Sequence, residues 1–156
     1  MARAERRPLR LDPALEFLRL LWSIEHGLQR VSKRMEVTHG ITGPQRLVLR
    51  IVRESPHASA AELAALLHLH ASTMTGILQR LEAKGLVVRE RDSNDNRRIK
   101  LRVPARAGAL IDRGEGTIES AIKAALKGVP KSRTRSAQIA LAAIAAALNS
   151  QGVAAE

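Results

Sequence analysis

Residues 59–100 read SAAELAALLHLHASTMTGILQRLEAKGLVVRERDSNDNRRIK, and this stretch decides the fold. Ser59 followed three residues later by Glu62 forms a capping box, which predicts that a short helix begins there. After a turn, a second helix is predicted from about Ser72 to Lys84. Its apolar residues follow the helical spacing i, i+3, i+4 and i+7, and they are Met74, Ile77, Leu78 and Leu81. Gly85 is its predicted C-terminal stop.

Two β-prone runs follow this helix and predict a hairpin. Residues 86–88 and 99–103 flank the turn-rich residues 92–96. Two short helices and a basic hairpin in this order are typical of a winged helix-turn-helix, a module that reads DNA. The chain is therefore predicted to be mostly α with a small β-hairpin wing, and the winged helix-turn-helix is predicted at about residues 42–104.

Helices are also predicted on the N-terminal side of this module. Asp12-Pro13 is an N-cap followed by proline at the first helical position, and a long first helix is predicted at about residues 12–38. Thr42 is the candidate cap of the next helix. The residues of that helix predicted to face inward are Leu47, Val48, Ile51 and Val52.

Helical patterns also follow the hairpin. One helix is predicted from Ala105 to about Lys127 although it contains Gly108, Gly114 and Gly116, and an alanine-rich helix follows from about Ser132 to Leu148. The apolar faces of the outer helices exceed what a winged module can cover, which indicates burial between subunits. We therefore expect a basic arm at residues 1–10 and one domain at 11–150, with dimerisation helices at about 12–38 and 105–149.

The composition favours a polyanionic partner. The 156 residues contain 26 Lys and Arg against 15 Asp and Glu, for a net charge of +11. Only two aromatic residues, Phe17 and Trp22, are present, so duplex binding fits better than base stacking on single strands. There is no cysteine for disulfides or thiolate metal sites. Because the sequence has no long apolar run, we predict that it has no membrane partner. Because it has no secretory signal, we predict a cytoplasmic location.

The ordered set of motifs resembles the MarR family of bacterial regulators. The resemblance rests on Ile41-Thr42-Gly-Pro-Gln45, Ala61-Glu62-Leu63-Ala64, Leu81-Glu82-Ala-Lys-Gly85-Leu86-Val87 with Arg89, and the hairpin residues 92–98. It implies a homodimer that places two winged modules on successive half-sites of a palindromic operator. It also implies regulation, often repression, that a small aromatic or anionic ligand releases. The chain departs from the family in having Gly76 where many members carry an arginine.

The exposed face of the second helix is the candidate for base recognition. With its apolar residues buried, this helix must expose Ser72, Thr73, Thr75, Gly76, Gln79 and Arg80. A glutamine amide can bond bidentately to adenine, a threonine methyl can contact thymine, and we assign the arginine to a phosphate. The alternative is an ordinary solvated face, and the lack of an acidic residue before Glu82 argues against it.

The hairpin supplies the second group of candidate DNA contacts. Strand alternation puts Arg98, Lys100 and Arg102 on one face, where they would lie along phosphates. The family resemblance implies that Asp95 holds Arg97 in the minor groove. The alternative is a charged turn that prevents edge-to-edge strand pairing.

The candidate effector site is Trp22 and His26, which lie one turn apart on the first helix, with Arg46 as a cation for an anionic ligand. The alternatives are a core tryptophan with a hydrogen-bonded histidine, and a solvent-exposed Arg46. No cofactor or metal site is predicted because the five histidines do not show the spacing of a zinc site. Metal or pH sensing through His68 and His70 stays an alternative.

Two other functions compete with a specific regulator. A non-specific architectural DNA binder would have the same positive charge, and a winged helix can also serve as a protein-interaction module. An enzyme is not predicted, because the sequence has no glycine-rich phosphate loop, no activated serine motif and no cysteine nucleophile.

Overall fold

The computed structural model describes residues 10–56, 58–91 and 99–153. Seven α-helices and two strands lie in these residues. In chain order they are α1 (Pro13–His39), α2 (Gly43–Glu54), α3 (Ala60–Leu66), α4 (Ala71–Ala83), β1 (Val88–Arg91), β2 (Ile99–Arg102), α5 (Gly108–Asp112), α6 (Ile118–Leu126) and α7 (Lys131–Val153). A single 3-10 turn, Ala105–Ala107, leads from the hairpin into α5.

The helix starts predicted from capping patterns are confirmed. The Asp12 carboxylate accepts hydrogen bonds from the first backbone N–H groups of α1. Thr42 and Gln45 form a complete capping box at the start of α2. Ser59 and Glu62 form another at the start of α3, with bonds of 3.2 and 2.7 Å. Each box satisfies backbone donors that a helix leaves unpaired at its N-terminus.

The core lies between α2, α3, α4 and β2. The predicted anchors of α4 are confirmed as buried, at 0–7% exposure, together with Leu63, Val87 and Leu101. Leu47 was predicted to face inward, but it is 46% exposed. The buried face of α2 instead follows Gln45, Val48, Leu49 and Val52, a row of i, i+3, i+4 and i+7 that turns Leu47 to the outside.

The single helix predicted from Ala105 to Lys127 is wrong. The chain leaves helical conformation after Asp112 and resumes it at Ile118. Gly114 and Gly116 lie in this break, and the φ of Gly116 is 70°, a left-handed value that glycine adopts without strain. Thr117 then restarts the helix, because its hydroxyl accepts from the Ser120 N–H at 3.2 Å.

The hairpin is antiparallel, and its register pairs Val88 with Arg102 and Arg91 with Ile99. Leu101 is buried against the core, whereas Ile99 is 51% exposed, so only the base of the wing packs on the helices. Residues 92–98 lie outside the described residues.

Large apolar side chains are exposed on α1 and on the C-terminal helices. In this single chain the exposed set comprises Leu15, Phe17, Leu18, Leu20, Trp22, Ile24, Leu28, Val37, Ile122, Leu126, Ile139, Leu141 and Leu148. Within the described residues, no helix combines the length and apolar character needed to cross a bilayer.

Candidate nucleic-acid interface

The polar residues predicted for base recognition share the outer face of α4. Four residues on the other face anchor the helix in the core, and this leaves the predicted face exposed, with Gly76 half-exposed. Five exposed side chains make no hydrogen bond or ion pair with any residue in the described part of the chain, and they are Ser72, Thr73, Thr75, Gln79 and Arg80. Their donors and acceptors are therefore open to an external partner.

The charge on this face is positive or neutral. The first acidic residue of α4 is Glu82, and its carboxylate accepts a hydrogen bond from the Arg89 guanidinium of β1 at 2.5 Å. At the other end, His70 is the N-cap and makes no side-chain capping bond. The first-turn N–H groups and the positive end of the helix dipole therefore favour an anion at that end.

Gly76 occupies an ordinary helical position. A Cβ added there would meet no heavy atom within 4 Å. Glycine is thus not required by packing within the chain, and in a helix interior it lowers stability by about 0.5–1 kcal/mol relative to alanine.

The wing residues are described only in part. Asp95, Arg97 and Arg98 lie outside the described residues. Lys100 is half-buried on β2, and Arg102 on the same face forms an ion pair with Glu90 at 2.5 Å. The hydrogen bond from Arg102 holds the pKa of Glu90 below its usual value. Part of the predicted cationic face is therefore neutralised across the hairpin.

The effector residues divide between two places. Trp22 and His26 line a concavity of about 430 Å³ together with Leu11, Leu15, Leu18, Arg19 and Ser23. Trp22 is 58% exposed, so it is not a core residue of the single chain. The predicted hydrogen bond of the histidine is present, with Nδ1 2.7 Å from the Trp22 carbonyl oxygen.

Arg46 does not line this concavity, and the alternative of a solvent-exposed Arg46 is wrong. Its side chain is 1% exposed and donates to three backbone carbonyls and to Glu119. Arg46 lies three residues before the buried Leu49, so the two residues share one face of α2. This spacing was the signal in the sequence that Arg46 is buried. The carbonyls that bind the guanidinium have no helical partner because the helix breaks after Asp112, and this break was not predicted.

No cluster of three histidine or acidic side chains suited to a metal ion occurs among residues 10–56, 58–91 and 99–153. His68 and His70 are both exposed, and His68 has a left-handed φ of 51° in the turn between α3 and α4.

The arrangement of α2, α3, α4 and the β1–β2 hairpin defines a winged helix-turn-helix protein. A model of the MarR family matches residues 41–99. The regulator TtmR of Methylorubrum extorquens is 34% identical over 109 residues, which are 70% of this chain and 51% of TtmR. The chain thus spans about half the length of this curated relative.

Solved structures show the same fold. The S. aureus MepR–DNA complex superposes with a TM-score of 0.69 at 17% identity, over 85% of this chain and 97% of MepR. CouR of Rhodococcus jostii bound to p-coumaroyl-CoA gives 0.69 at 24% identity, over 81% and 89% of the two chains. The match of residues 41–99 to the family model and the 34% identity to TtmR identify the chain as a member of the MarR family.

Proposed function

We propose that this protein is a cytoplasmic, homodimeric transcriptional regulator that binds a palindromic operator in double-stranded DNA. The observation that carries the proposal is the outer face of α4, where polar side chains that have no partner among the described residues lie on a helix anchored by four buried residues. A rigid helix with such a face suits the major groove, where base edges present distinct donors and acceptors.

Thr75 and Gln79 are assigned to base edges, and Arg80 to a phosphate. Ser72 and Thr73, in the first turn, lie beside open backbone N–H groups that favour a phosphate oxygen. Gly76 lies between Thr75 and Gln79 on the same face of α4. Because it has no side chain, the helix backbone can approach the base edges in the groove more closely there. In the hairpin, Arg97 is assigned to the minor groove, and Arg98 and Lys100 to the backbone.

The proposed dimer uses the exposed apolar surface of α1 and the C-terminal helices. That surface contains more large side chains than a monomer ordinarily exposes, and a second copy would remove them from water. This layout makes residues 11–150 one domain, with dimerisation helices on both sides of the winged module.

Repression with release by a small ligand is the form of regulation that we propose. The support is the concavity beside Trp22 and His26, which lies on the proposed dimerisation helix. A protein of the same fold, CouR, is bound to p-coumaroyl-CoA. An aromatic or anionic effector at Trp22 would act by changing how the two winged modules are held.

Gln79→Ala tests the assignment of α4. We expect relaxed choice at one base pair in each half-site, by roughly 1–3 kcal/mol, measured on duplexes that carry single base substitutions. Gln29→Ala is the matched control, since Gln29 is an exposed glutamine of α1 that bonds to Glu25. An equal loss of affinity on all duplexes would assign Gln79 to the DNA backbone instead.

Arg97→Ala tests the wing. We expect weaker operator binding and an unchanged dimer by size-exclusion chromatography. Unchanged DNA affinity would remove the wing from the proposed interface and would favour a protein-interaction module.

A further inference from the structure

Three helices meet at the start of α2, and the contact is close. The Gly43 N–H donates to the Ser32 hydroxyl of α1 at 2.8 Å. A Cβ added to Gly43 would stand 2.5 Å from Ile118 Cδ1 of α6 and 3.3 Å from Ser32 Cβ. The first residue of α2 thus joins the winged module to helices on both of its flanks.

Arg46 lies one turn further along α2 and is the largest fully buried side chain described. Its Nη1 donates to the Leu110 carbonyl at 2.9 Å, and its Nη2 donates to the carbonyls of Ile111 and Arg113, each at 2.8 Å. Its Nε donates to Glu119 Oε1 at 2.9 Å. One guanidinium therefore binds four acceptors on both sides of the break between α5 and α6.

The backbone carbonyls among these acceptors are free to bind Arg46 because α5 ends there. The last carbonyls of a helix have no partner within it, and here α5 ends at Asp112. A planar guanidinium with five donors can satisfy several of them at once, which the single ammonium of a lysine cannot do in the same geometry. The charge is balanced by Glu119 in the first turn of α6.

The Glu119 carboxyl is stabilised in the charged form that balances the Arg46 guanidinium. Burial raises the pKa of its carboxyl, but hydrogen bonds from its own backbone N–H and from Arg46 outweigh burial and hold the pKa below its usual value. Its side chain is 26% exposed, so the ion pair lies at the edge of the buried site, and Arg50 approaches the same oxygen at 3.9 Å.

We infer that Arg46 is a positioning residue, which fixes the direction in which α6 leaves the winged module and so sets the spacing of the two recognition helices in the dimer. The inference rests on the proposed dimer and operator. DNA half-sites rotate by about 35° for each added base pair, so the angle of this junction decides which spacing a dimer can bind.

A measurement without DNA tests the positioning role directly. The chain has no cysteine, so Ala83→Cys, at the exposed end of α4, gives one spin label per protomer. We expect a narrow distribution of distances between the two labels in the otherwise unchanged protein, and a broad distribution in Arg46→Lys.

The matched control is Arg53→Lys. Arg53 also joins α2 to α5, through Asp112 at 2.6 Å, but both side chains of that pair are exposed. We expect the control to keep the narrow distribution. If Arg46→Lys fails to fold, Glu119→Gln takes its place, because it keeps the three carbonyl bonds of Arg46 and weakens only the bond to α6. An unchanged distribution in the folded variants overturns the inference.

The second test measures the affinity of the protein for duplexes that differ in the spacing of their half-sites. We expect the unmodified protein to prefer one spacing over a spacing one base pair longer by about tenfold, and Arg46→Lys to reduce that ratio to about twofold. The same ratio in Arg46→Lys as in Arg53→Lys overturns the inference. If the unmodified protein distinguishes no DNA sequence, the proposed function fails, and the label distances still decide whether Arg46 fixes the junction.

Discussion

Gly76→Ala and Gly85→Ala are the same substitution, and the structure predicts opposite effects on stability. Gly76 has helical conformation, and an added Cβ would meet no heavy atom within 4 Å. Alanine loses less backbone freedom on folding than glycine does. We therefore expect Gly76→Ala to raise the free energy of unfolding by about 0.5–1 kcal/mol per protomer.

Gly85 lies just after the C-cap Lys84 of α4 and has a left-handed φ of 65°. A side chain in this region costs about 1–2 kcal/mol. The added Cβ would also stand 3.0 Å from Arg106 Cζ and would disturb the bond from Arg106 Nε to the Gly85 carbonyl. With about 0.5–1.5 kcal/mol for that bond, the expected loss in the free energy of unfolding is about 1.5–3.5 kcal/mol.

Equilibrium urea unfolding followed by circular dichroism measures both values. All proteins must be compared at one concentration, because the stability of a dimer depends on it. If Gly76→Ala is less stable than the unmodified protein, or if Gly85→Ala is equally stable, the backbone conformations described for Gly76 and Gly85 are wrong.

Other predictions concern the buried cation and the DNA contacts. Arg46→Met should lower the free energy of unfolding by about 3–5 kcal/mol, against about 0–1 kcal/mol for Arg53→Met, in the same urea assay. Because the folded-state pKa of Glu119 is depressed, its stabilising contribution is present above the unfolded pKa of about 4.3 and is lost as the pH falls through the folded pKa. The stability difference between the unmodified protein and Glu119→Gln should therefore shrink on acidification, and a growing difference would contradict this. Arg80→Ala should reduce the slope of log affinity against log salt by about one, and an unchanged slope would remove Arg80 from the phosphate contacts.

The sequence was most informative where local rules act. Capping boxes depend on side chains three residues apart, so Ser59 with Glu62 predicted a helix start that the structure shows. The apolar spacing of α4 likewise predicted which of its residues are buried and which face outward. These signals need no knowledge of the rest of the chain.

The parts that sequence reasoning missed depend on distant residues. Arg46 is buried because α5 stops and presents carbonyls more than sixty residues away. The break contains Gly114 and Gly116. Their low helix propensity makes a helix less stable, but propensity alone does not predict whether the helix breaks at that point. The expectation that Arg46 is exposed to solvent failed for the same reason, since it treated a cation as a surface group.

We propose that α4 and the wing read a particular DNA sequence. Fragments selected from a genome with the purified protein should share a palindromic site, and that site should be bound roughly a thousandfold or more tightly than random duplex at the same salt concentration. Equal affinity for the selected and random duplexes would contradict specific recognition and would leave a non-specific DNA binder.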